Sequence, residues 1–379
     1  MKNLEIATCN SFSCHLFPTC SGCKSQKEVR NPPVLEEIQK FFQGLQCEIK
    51  LISGEITGWR SKAKLAVRES EKEPLIGLFQ EESHQVVDLE ECPLHYVEMN
   101  HALKMIRNQI KTFGIRAYHE KKHEGRLRYI QIVFSPKTLT LQLSLVFNAI
   151  ALEEEEKQFV KRLYKEGLFY SIWVNFCPDK TNSIFGKKWE LLEGEEDFFQ
   201  EIRGISFCFH PSCFSQAHLP LFEKMISYVD DLIPKNKTIL ELYAGVGCIG
   251  LSLAHTAKKV VLVESSPFAK NSFEKSCSKE LRDKCTFISG MVEDLSLPWQ
   301  EAEVIIVDPP RKGLSKQCKN KIFQSNATQL VYVSCGYDSF MRDCKEILEK
   351  GWTLEAAQGF LLFPGTNHVE LIAGFKKVC

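Results

Sequence analysis

Hydrophobic and polar positions follow two different patterns along the chain. In the first half, short stretches alternate apolar and polar residues with the period of two that is typical of half-buried strands. The stretches with this pattern are residues 60–68, 130–134, 139–147, 170–176 and 183–192. Helical spacing occurs at 34–42 and 153–164. This mixture predicts an α+β domain built on an antiparallel sheet.

The pattern changes after Gly204. Residues 219–233 have helical periodicity, and from Thr238 onward short apolar runs alternate with helical segments to the end of the chain. Such alternation predicts a doubly wound, Rossmann-like α/β domain. We therefore expect a cysteine-rich loop at 1–27, a central α+β domain at 28–204 and the Rossmann-like domain at 205–379.

Composition and charge narrow the class of protein. The 379 residues suffice for two or three domains, and 48 Lys plus Arg balance 48 Asp plus Glu, so RNA binding would need a local basic patch. Sixteen cysteines without an N-terminal secretion signal predict reduced thiols in the cytoplasm. No apolar run reaches the roughly 18–20 residues of a membrane span. The absence of a repeat or coiled-coil seam leads us to expect a monomer.

A glycine-rich loop opens the Rossmann-like region. Gly245, Gly247 and Gly250 form G-x-G-x-x-G directly after the apolar run 238–242, where missing side chains let a ligand approach the backbone. The next predicted strand ends at Glu264, at the distance where an acidic residue binds a ribose hydroxyl. Dehydrogenases share this motif, so it indicates a nucleotide-like cofactor without naming it.

Three further chemical groups lie at the ends of predicted buried strands, two after a strand and one before it. Asp308 ends the run 304–307 and precedes two prolines, and Cys335 follows the run 331–333. Because the carboxyl ends of parallel strands meet at one edge of the sheet, both should face the same crevice. Glu370 lies directly before the apolar run 371–375. We interpret Cys335 as a nucleophile and Glu370 as the matching base.

The N-terminal cysteines have a spacing that is typical of a metal or cluster site. Cys14-x5-Cys20-x2-Cys23 places three thiols in one Pro- and Gly-containing loop, and Cys92 is a plausible fourth ligand from a distant turn. Cys9 is an alternative to Cys14. Spacing does not separate zinc from an iron–sulfur cluster. Reduced bystander cysteines or a zinc knot are the alternatives, but four cysteines within fifteen residues are hard to explain as core filling and favour a metal or cluster site.

Basic residues alternate with apolar ones in the segment 58–68. On a strand, Arg60, Lys62, Lys64 and Arg68 would share one face, which would be cationic. A solvated strand face is the commoner explanation of such a pattern. A face that contacts RNA phosphates is the functional one.

At these residues the sequence resembles the S-adenosylmethionine-dependent RNA uracil-C5 methyltransferases. Within that family it is most similar to the short iron–sulfur enzymes that modify 23S rRNA. The resemblance rests on the cysteine loop, on segments 58–64 and 92–94, on the element 211–216 (PSCFSQ), on the glycine loop, on 308–311 (DPPR), on Ser334-Cys335 and on 363–370.

The resemblance implies roles for individual residues. Gln216, Tyr243, Glu264 and Asp308 would contact S-adenosylmethionine, together with Gly245 and Gly247 of the loop. Cys335 would attack uracil C6 and Glu370 would remove the C5 proton. The four cysteines Cys14, Cys20, Cys23 and Cys92 would hold a 4Fe-4S cluster.

The sequence differs from the family pattern at three positions. Gly336 stands where asparagine commonly follows the nucleophile, and Leu361-Leu362 stands where an acidic residue often precedes Phe-Pro. Cys248 lies in the glycine loop, where other members often carry glycine or asparagine. The small oligonucleotide-binding barrel of longer relatives is not expected. The alternatives are a tRNA uracil-C5 methyltransferase, an iron–sulfur oxidoreductase that uses a nicotinamide cofactor, and an RNA-binding protein without catalysis.

Overall fold

The computed structural model describes residues 9–71 and 73–378, and the chain divides into two units. The first unit contains the chain up to Val29, Glu55–Gln200 and His210–His218. The second contains Arg30–Gly54, Glu201–Phe209 and the chain from Leu219 onward. No helix within the described residues is long and apolar enough to cross a membrane.

The helices in chain order are α1 (Val34–Gly44), α2 (Val97–Thr112), α3 (Glu154–Lys165), α4 (Leu219–Leu232), α5 (Cys248–Leu253), α6 (Ala269–Ser276), α7 (Lys316–Gln324) and α8 (Tyr337–Glu349). The strands are β1 (Lys50–Ser53), β2 (Lys62–Arg68), β3 (Leu75–Phe79), β4 (Val86–Asp88), β5 (Leu127–Ser135), β6 (Thr140–Phe147), β7 (Phe169–Phe176), β8 (Lys188–Gly194), β9 (Phe199–Ile202), β10 (Ile205–Cys208), β11 (Thr238–Leu242), β12 (Lys259–Glu264), β13 (Cys285–Ser289), β14 (Val304–Val307), β15 (Gln329–Ser334), β16 (Trp352–Leu361) and β17 (Glu370–Lys377).

The second unit is built on an eight-stranded sheet in the order β1-β16-β17-β15-β14-β11-β12-β13. The strands β15, β14, β11, β12 and β13 pair in parallel, and β17 is antiparallel to both of its neighbours. All four residues of β14 are buried, as expected for a strand covered on both faces. The predicted Rossmann-like fold is confirmed.

One strand of this sheet comes from a distant part of the sequence. Residues Lys50–Ser53 pair in parallel with residues 358–361 of β16. The helix α1 precedes this strand, and its buried Ile38 and Phe42 belong to the core of the second unit. Residues 30–54 therefore lie in the second unit, together with the chain from Leu219 onward.

The first unit is built on a seven-stranded sheet in the order β4-β3-β2-β5-β6-β7-β8. Its pairs are antiparallel except for β6 and β7, which run parallel. The prediction of a wholly antiparallel sheet is wrong at this pair because α3 supplies the crossover that parallel neighbours require. The last strand begins at Lys188 rather than near 183, after Gly186, whose N–H donates to Asn175 Oδ1 at 2.7 Å.

Candidate active site

Four neighbouring strands of the second unit end at the same edge of the sheet. Because β12, β11, β14 and β15 are parallel neighbours, their carboxyl ends lie side by side. These ends carry Glu264, Tyr243, Asp308 and Cys335 in that order across the sheet. The predicted convergence of these residues on one edge is therefore what the topology produces.

Glu370 reaches the same edge from the opposite direction. It is the first residue of β17, and the antiparallel register pairs Ser334 of β15 with Leu371. One step further along each strand places Cys335 beside Glu370. The side chain of Glu370 is buried, with 6% of its residue surface exposed, whereas Cys335 is half-buried. The sheet thus brings the predicted nucleophile and base together.

The electrostatics of this edge are dominated by buried acids. Burial raises the pKa of Glu370 to about 8, and the neighbouring Asp308 adds to the effect while Arg311 opposes it. Burial, followed by the charge of Glu264, raises the pKa of Asp308 to about 7. Both carboxyls therefore hold their protons to a higher pH than an exposed carboxyl does.

The thiol of Cys335 is held in its neutral form. Burial is the largest cause, and the carboxylates of Glu370 and Asp308 add to it, so that its pKa rises to about 11. Arg311 acts in the opposite direction. Arg311 was not assigned a role from the sequence, although it stands directly after Asp308-Pro309-Pro310. The sequence contained a signal for this role, because Arg311 is a cation close to an acid that ends a strand at the predicted crevice.

The glycine loop has the strained backbone that its sequence predicts. Tyr243, Gly245 and Gly247 have φ angles of 62°, 58° and 87°, and the last two favour glycine for this reason. A Cβ at Gly247 would lie only 2.8 Å from Leu262 Cδ2. The N–H of Gly245 donates to Glu264 Oε2 at 3.0 Å, so the end of β12 holds the loop in place.

Neighbouring residues also donate hydrogen bonds to the other carboxylate oxygen of Glu264. Its Oε1 accepts the N–H of Ser266 at 2.8 Å and the hydroxyl of Ser265 at 3.3 Å. A carboxylate has about four acceptor positions, so one is left for a ligand hydroxyl. This arrangement fits the ribose contact expected of Glu264.

Glu241 is a second residue whose role was not recognised in the sequence. It lies in β11 with 1% exposure, and its Oε2 accepts the N–H of Gly250 at 2.9 Å. A Cβ at Gly250 would stand 2.2 Å from the same oxygen, which explains the third glycine of the motif. Burial raises the pKa of Glu241 to about 8. A carboxylate inside an otherwise apolar strand was the available signal.

Comparisons with known proteins agree on one family. The model of the tRNA (uracil-5-)-methyltransferase family matches residues 275–377. An uncharacterized RNA methyltransferase of Protochlamydia amoebophila is 37% identical over 97% of this chain and 98% of its own length. A second one, from Fusobacterium nucleatum, is 30% identical over 100% of this chain and 85% of its own length.

The chain belongs to the RNA uracil-5-methyltransferase family. Its fold is also that of a solved family structure, the tRNA (uracil-54, C5)-methyltransferase of Pyrococcus abyssi in complex with S-adenosyl-L-homocysteine. The two share a TM-score of 0.76 and 24% identity, over 94% of this chain and 86% of that one. The chain is thus an RNA methyltransferase.

The cysteine loop of the methyltransferase lies in the first unit. Cys14, Cys20, Cys23 and Cys92 all line one cavity of about 90 Å³, which Arg60 also lines. Burial, followed by the thiols of Cys92 and Cys20, raises the pKa of Cys23 to about 12, which shows that these sulfurs are close together. Cys9 does not line this cavity, and its thiol donates to the carbonyl of Ser11 at 2.9 Å.

The thiols nevertheless do not stand in a metal-binding arrangement. Among residues 9–71 and 73–378, no group of three or more His, Cys, Asp or Glu side chains is placed so that it could hold a metal ion. The four thiols share a cavity, but within the described residues no three of them converge on one metal position. The iron–sulfur cluster thus stays a proposal.

Two of the four predicted RNA-binding residues have internal partners in the first unit. Arg68 is 6% exposed, and its Nη2 lies 3.0 Å from Glu120 Oε2. Its Nη1 donates to the carbonyl of Arg128 at 2.7 Å. Burial lowers the pKa of Arg60, whose guanidinium faces the thiols of the cysteine cavity. These contacts favour structural roles for both arginines.

The other two predicted RNA-binding residues differ in exposure. Lys64 is exposed, and its Nζ lies 4.8 Å from the centre of the Phe185 ring. Lys62 is half-buried, and its Nζ donates to the carbonyl of Cys213 at 3.0 Å and to Ser215 Oγ at 3.2 Å. Burial lowers the pKa of Lys62 to about 7. Of the four, Lys64 is the best placed to meet a phosphate.

The remaining predicted contact, Gln216, belongs to a segment that strand β2 fixes within the first unit. The N–H and the hydroxyl of Ser61 both donate to the carbonyl of Ala217, at 2.8 and 3.0 Å. Lys62 holds the preceding residues of the same segment. Gln216 itself is buried, with 9% exposure. Its role towards S-adenosylmethionine therefore stays a prediction.

Proposed function

We propose that this methyltransferase transfers a methyl group from S-adenosylmethionine to C5 of a uridine in 23S rRNA. The observation that carries the proposal is the register of β15 and β17, which sets Cys335 beside Glu370 at the edge of the sheet. A nucleophile and a base side by side are what substitution at uracil C5 requires.

Cys335 supplies the covalent step. The thiol of Cys335 gives up its proton to solvent, and the resulting thiolate adds to C6 of the uracil ring. The electron pair of the C5–C6 double bond then moves towards C5 and the O4 carbonyl. The activated C5 then attacks the methyl group of S-adenosylmethionine. The bond between this methyl group and the sulfonium sulfur breaks, and S-adenosyl-L-homocysteine leaves. Arg311 is the cation that favours the thiolate form in the otherwise acidic site.

Glu370 completes the reaction. After methylation, C5 is tetrahedral and still carries its hydrogen. The carboxylate of Glu370 removes this proton, the double bond forms again and the bond between C6 and Cys335 Sγ breaks. A carboxyl with a pKa of about 8 is well matched to a base that works near neutral pH.

The predicted S-adenosylmethionine residues suit a cationic co-substrate. Glu264 and Asp308 place two acids at adjacent strand ends, and Gly245 and Gly247 expose the backbone between them. Tyr243 begins this loop, and its hydroxyl contacts Cys318 and Glu293, which fixes the start of the loop. We assign these five residues and Gln216 to the co-substrate.

The class of RNA rests on less direct support. The cysteine loop resembles that of enzymes acting on 23S rRNA. In contrast, the matching family model and the structural relative from Pyrococcus abyssi are both named for tRNA. A uridine in tRNA is therefore the second candidate. In either RNA the base must leave its stack to reach Cys335, which favours an unpaired uridine.

We propose that Cys14, Cys20, Cys23 and Cys92 hold a 4Fe-4S cluster. Four thiols in one cavity are the donor set that such a cluster uses, and the guanidinium of Arg60 would offset part of its negative charge. The cluster would join the N-terminal loop to the turn at Cys92. We further propose that the enzyme is a cytoplasmic monomer, in keeping with its reduced thiols.

A test of the mechanism uses 23S rRNA and tRNA transcripts that contain 5-fluorouridine. Fluorine at C5 cannot be removed as a proton, so methyl transfer should leave a covalent complex that survives denaturing gels. We expect this complex with the wild-type enzyme and none with Cys335→Ala, although the variant still binds S-adenosylmethionine.

The matched variant Glu370→Gln separates the role of the base from that of the nucleophile. It should accumulate the covalent complex with ordinary uridine, because the adduct forms but its C5 proton stays in place. Equal complex formation by Cys335→Ala and the wild-type protein would overturn the assignment of the nucleophile.

A further inference from the structure

A buried acid in α8 connects the nucleophile segment with the loop that follows Asp308. Asp343 is fully buried, and its Oδ2 accepts the backbone N–H of Leu314 at 2.8 Å. The same oxygen accepts the hydroxyl of Tyr332 in β15 at 2.9 Å. One carboxylate oxygen therefore joins the strand that leads to Cys335 to the loop 311–315.

The second oxygen of Asp343 is used as well. Its Oδ1 lies 3.2 Å from the ammonium group of Lys319 in α7, and Lys319 is only 6% exposed. Lys319 also contacts Glu346, one turn further along α8. Both oxygens of the buried Asp343 carboxyl group thus have hydrogen-bond or ion-pair partners, which offset the cost of burying it.

Other contacts hold the same two segments together. Arg342 Nη2 donates to the carbonyl of Lys312 at 2.7 Å. A Cβ at Gly336 would come within 2.9 Å of the carbonyl of Arg311, so the turn after Cys335 lies directly against this loop. At Gly313, which has φ of +80°, a Cβ would stand 2.5 Å from Asp343 Oδ2. Close packing at both glycines makes the arrangement specific.

We propose that Asp343 is a positioning residue for methyl transfer, which holds loop 311–315 and the Cys335 segment in the relative placement that the reaction needs. The loop begins at Arg311, the cation that faces Cys335 and Glu370, and it follows Asp308. Asp343 touches none of the reacting atoms. It acts through Arg311 and Cys335, and the inference rests on the proposed function only for its kinetic readout.

The kinetic test compares Asp343→Ala with Asp343→Asn and with Glu346→Ala. Asp343→Ala removes the bonds to Leu314 and Tyr332. We expect it to lower kcat for methyl transfer by about 100-fold, the order expected for a displacement near 1 Å, with KM for S-adenosylmethionine within about 3-fold of wild type. Asp343→Asn can keep its amide oxygen towards Leu314 and Tyr332, so it should restore most of the rate.

Glu346→Ala is the matched control, because it removes the other partner of Lys319 on the same helix but no bond to the loop. Its kcat should stay near the wild-type value. A wild-type kcat in folded Asp343→Ala would overturn the proposal. So would an equal loss in Glu346→Ala, since that would indicate general destabilisation.

A second readout does not depend on the identity of the RNA. Iodoacetamide alkylates the thiolate form of a cysteine, and mass spectrometry can follow Cys335 alone. If Asp343 keeps Arg311 near Cys335, Asp343→Ala should slow the alkylation of Cys335 at pH 8, and Glu346→Ala should not. An unchanged alkylation rate would refute the positioning role even if no RNA tested were methylated by the wild-type enzyme.

Discussion

Burial of the carboxyls at the candidate active site lowers the stability of the folded protein when they ionise. This loss of stability can be measured at single residues. Glu370 has an ordinary pKa of 4.5, and burial raises it to about 8 in the folded chain. Between these two values the folded state binds a proton that the unfolded state has released. The contribution of Glu370 to stability therefore falls as pH rises through this interval.

Glu370→Gln should remove this dependence, because the amide has the same shape and does not ionise. Relative to wild type, we expect the variant to gain on the order of a few kcal/mol in free energy of unfolding at pH 9, and little at pH 5. Urea unfolding at both pH values measures the difference. A gain that is the same at both would contradict the raised pKa.

The site residues that the sequence predicts share one property. Cys335, Glu264 and Asp308 each end a short apolar run, and strand ends in a parallel sheet converge by topology alone. Asp343 has no such signal, because its three partners lie in different elements and it occupies an ordinary polar-looking helix position. Its role depends on packing that a local pattern does not contain.

At the scale of elements, strands and helices with strong periodicity were predictable to within a few residues, and pairings between distant segments were not. The helix predicted at 219–233 is α4, Leu219–Leu232. The pairing of β1 with β16 joins segments about 300 residues apart, and the sequence of neither segment indicates which strand it pairs with. The basic face of β2 likewise gave no sign that Arg68 would be buried against Glu120.

The cysteine loop allows a prediction for one element. Anaerobically purified protein should contain about four iron and four sulfide per chain and show a broad visible absorption band. Cys23→Ala should lose both, because Cys23 lines the shared cavity, whereas Cys9→Ala should keep them, because Cys9 does not. Stoichiometric zinc without iron would refute the cluster, and iron loss in Cys9→Ala alone would change the ligand set.

For the whole molecule, the balanced charge means that RNA recognition must depend on local features of the surface. With 48 basic and 48 acidic residues, no general cationic field draws RNA to the protein. Lys64 is exposed, while Arg60 and Arg68 have internal roles, so the predicted basic strand offers less cationic surface than its sequence suggests. Under the proposed function, we expect specificity to depend on the shape of the RNA and on access of an unpaired uridine to Cys335.

The most direct measurement uses 23S rRNA and tRNA transcripts that carry tritium at uracil C5, and follows tritium release after addition of S-adenosylmethionine. Release requires loss of the C5 hydrogen, so it reports both the reaction and the RNA. We predict release from 23S rRNA, its loss in Cys335→Ala, and none from tRNA. Release from tRNA alone would move the substrate to the second candidate, and no release from either RNA would contradict uridine C5 methylation of these RNAs.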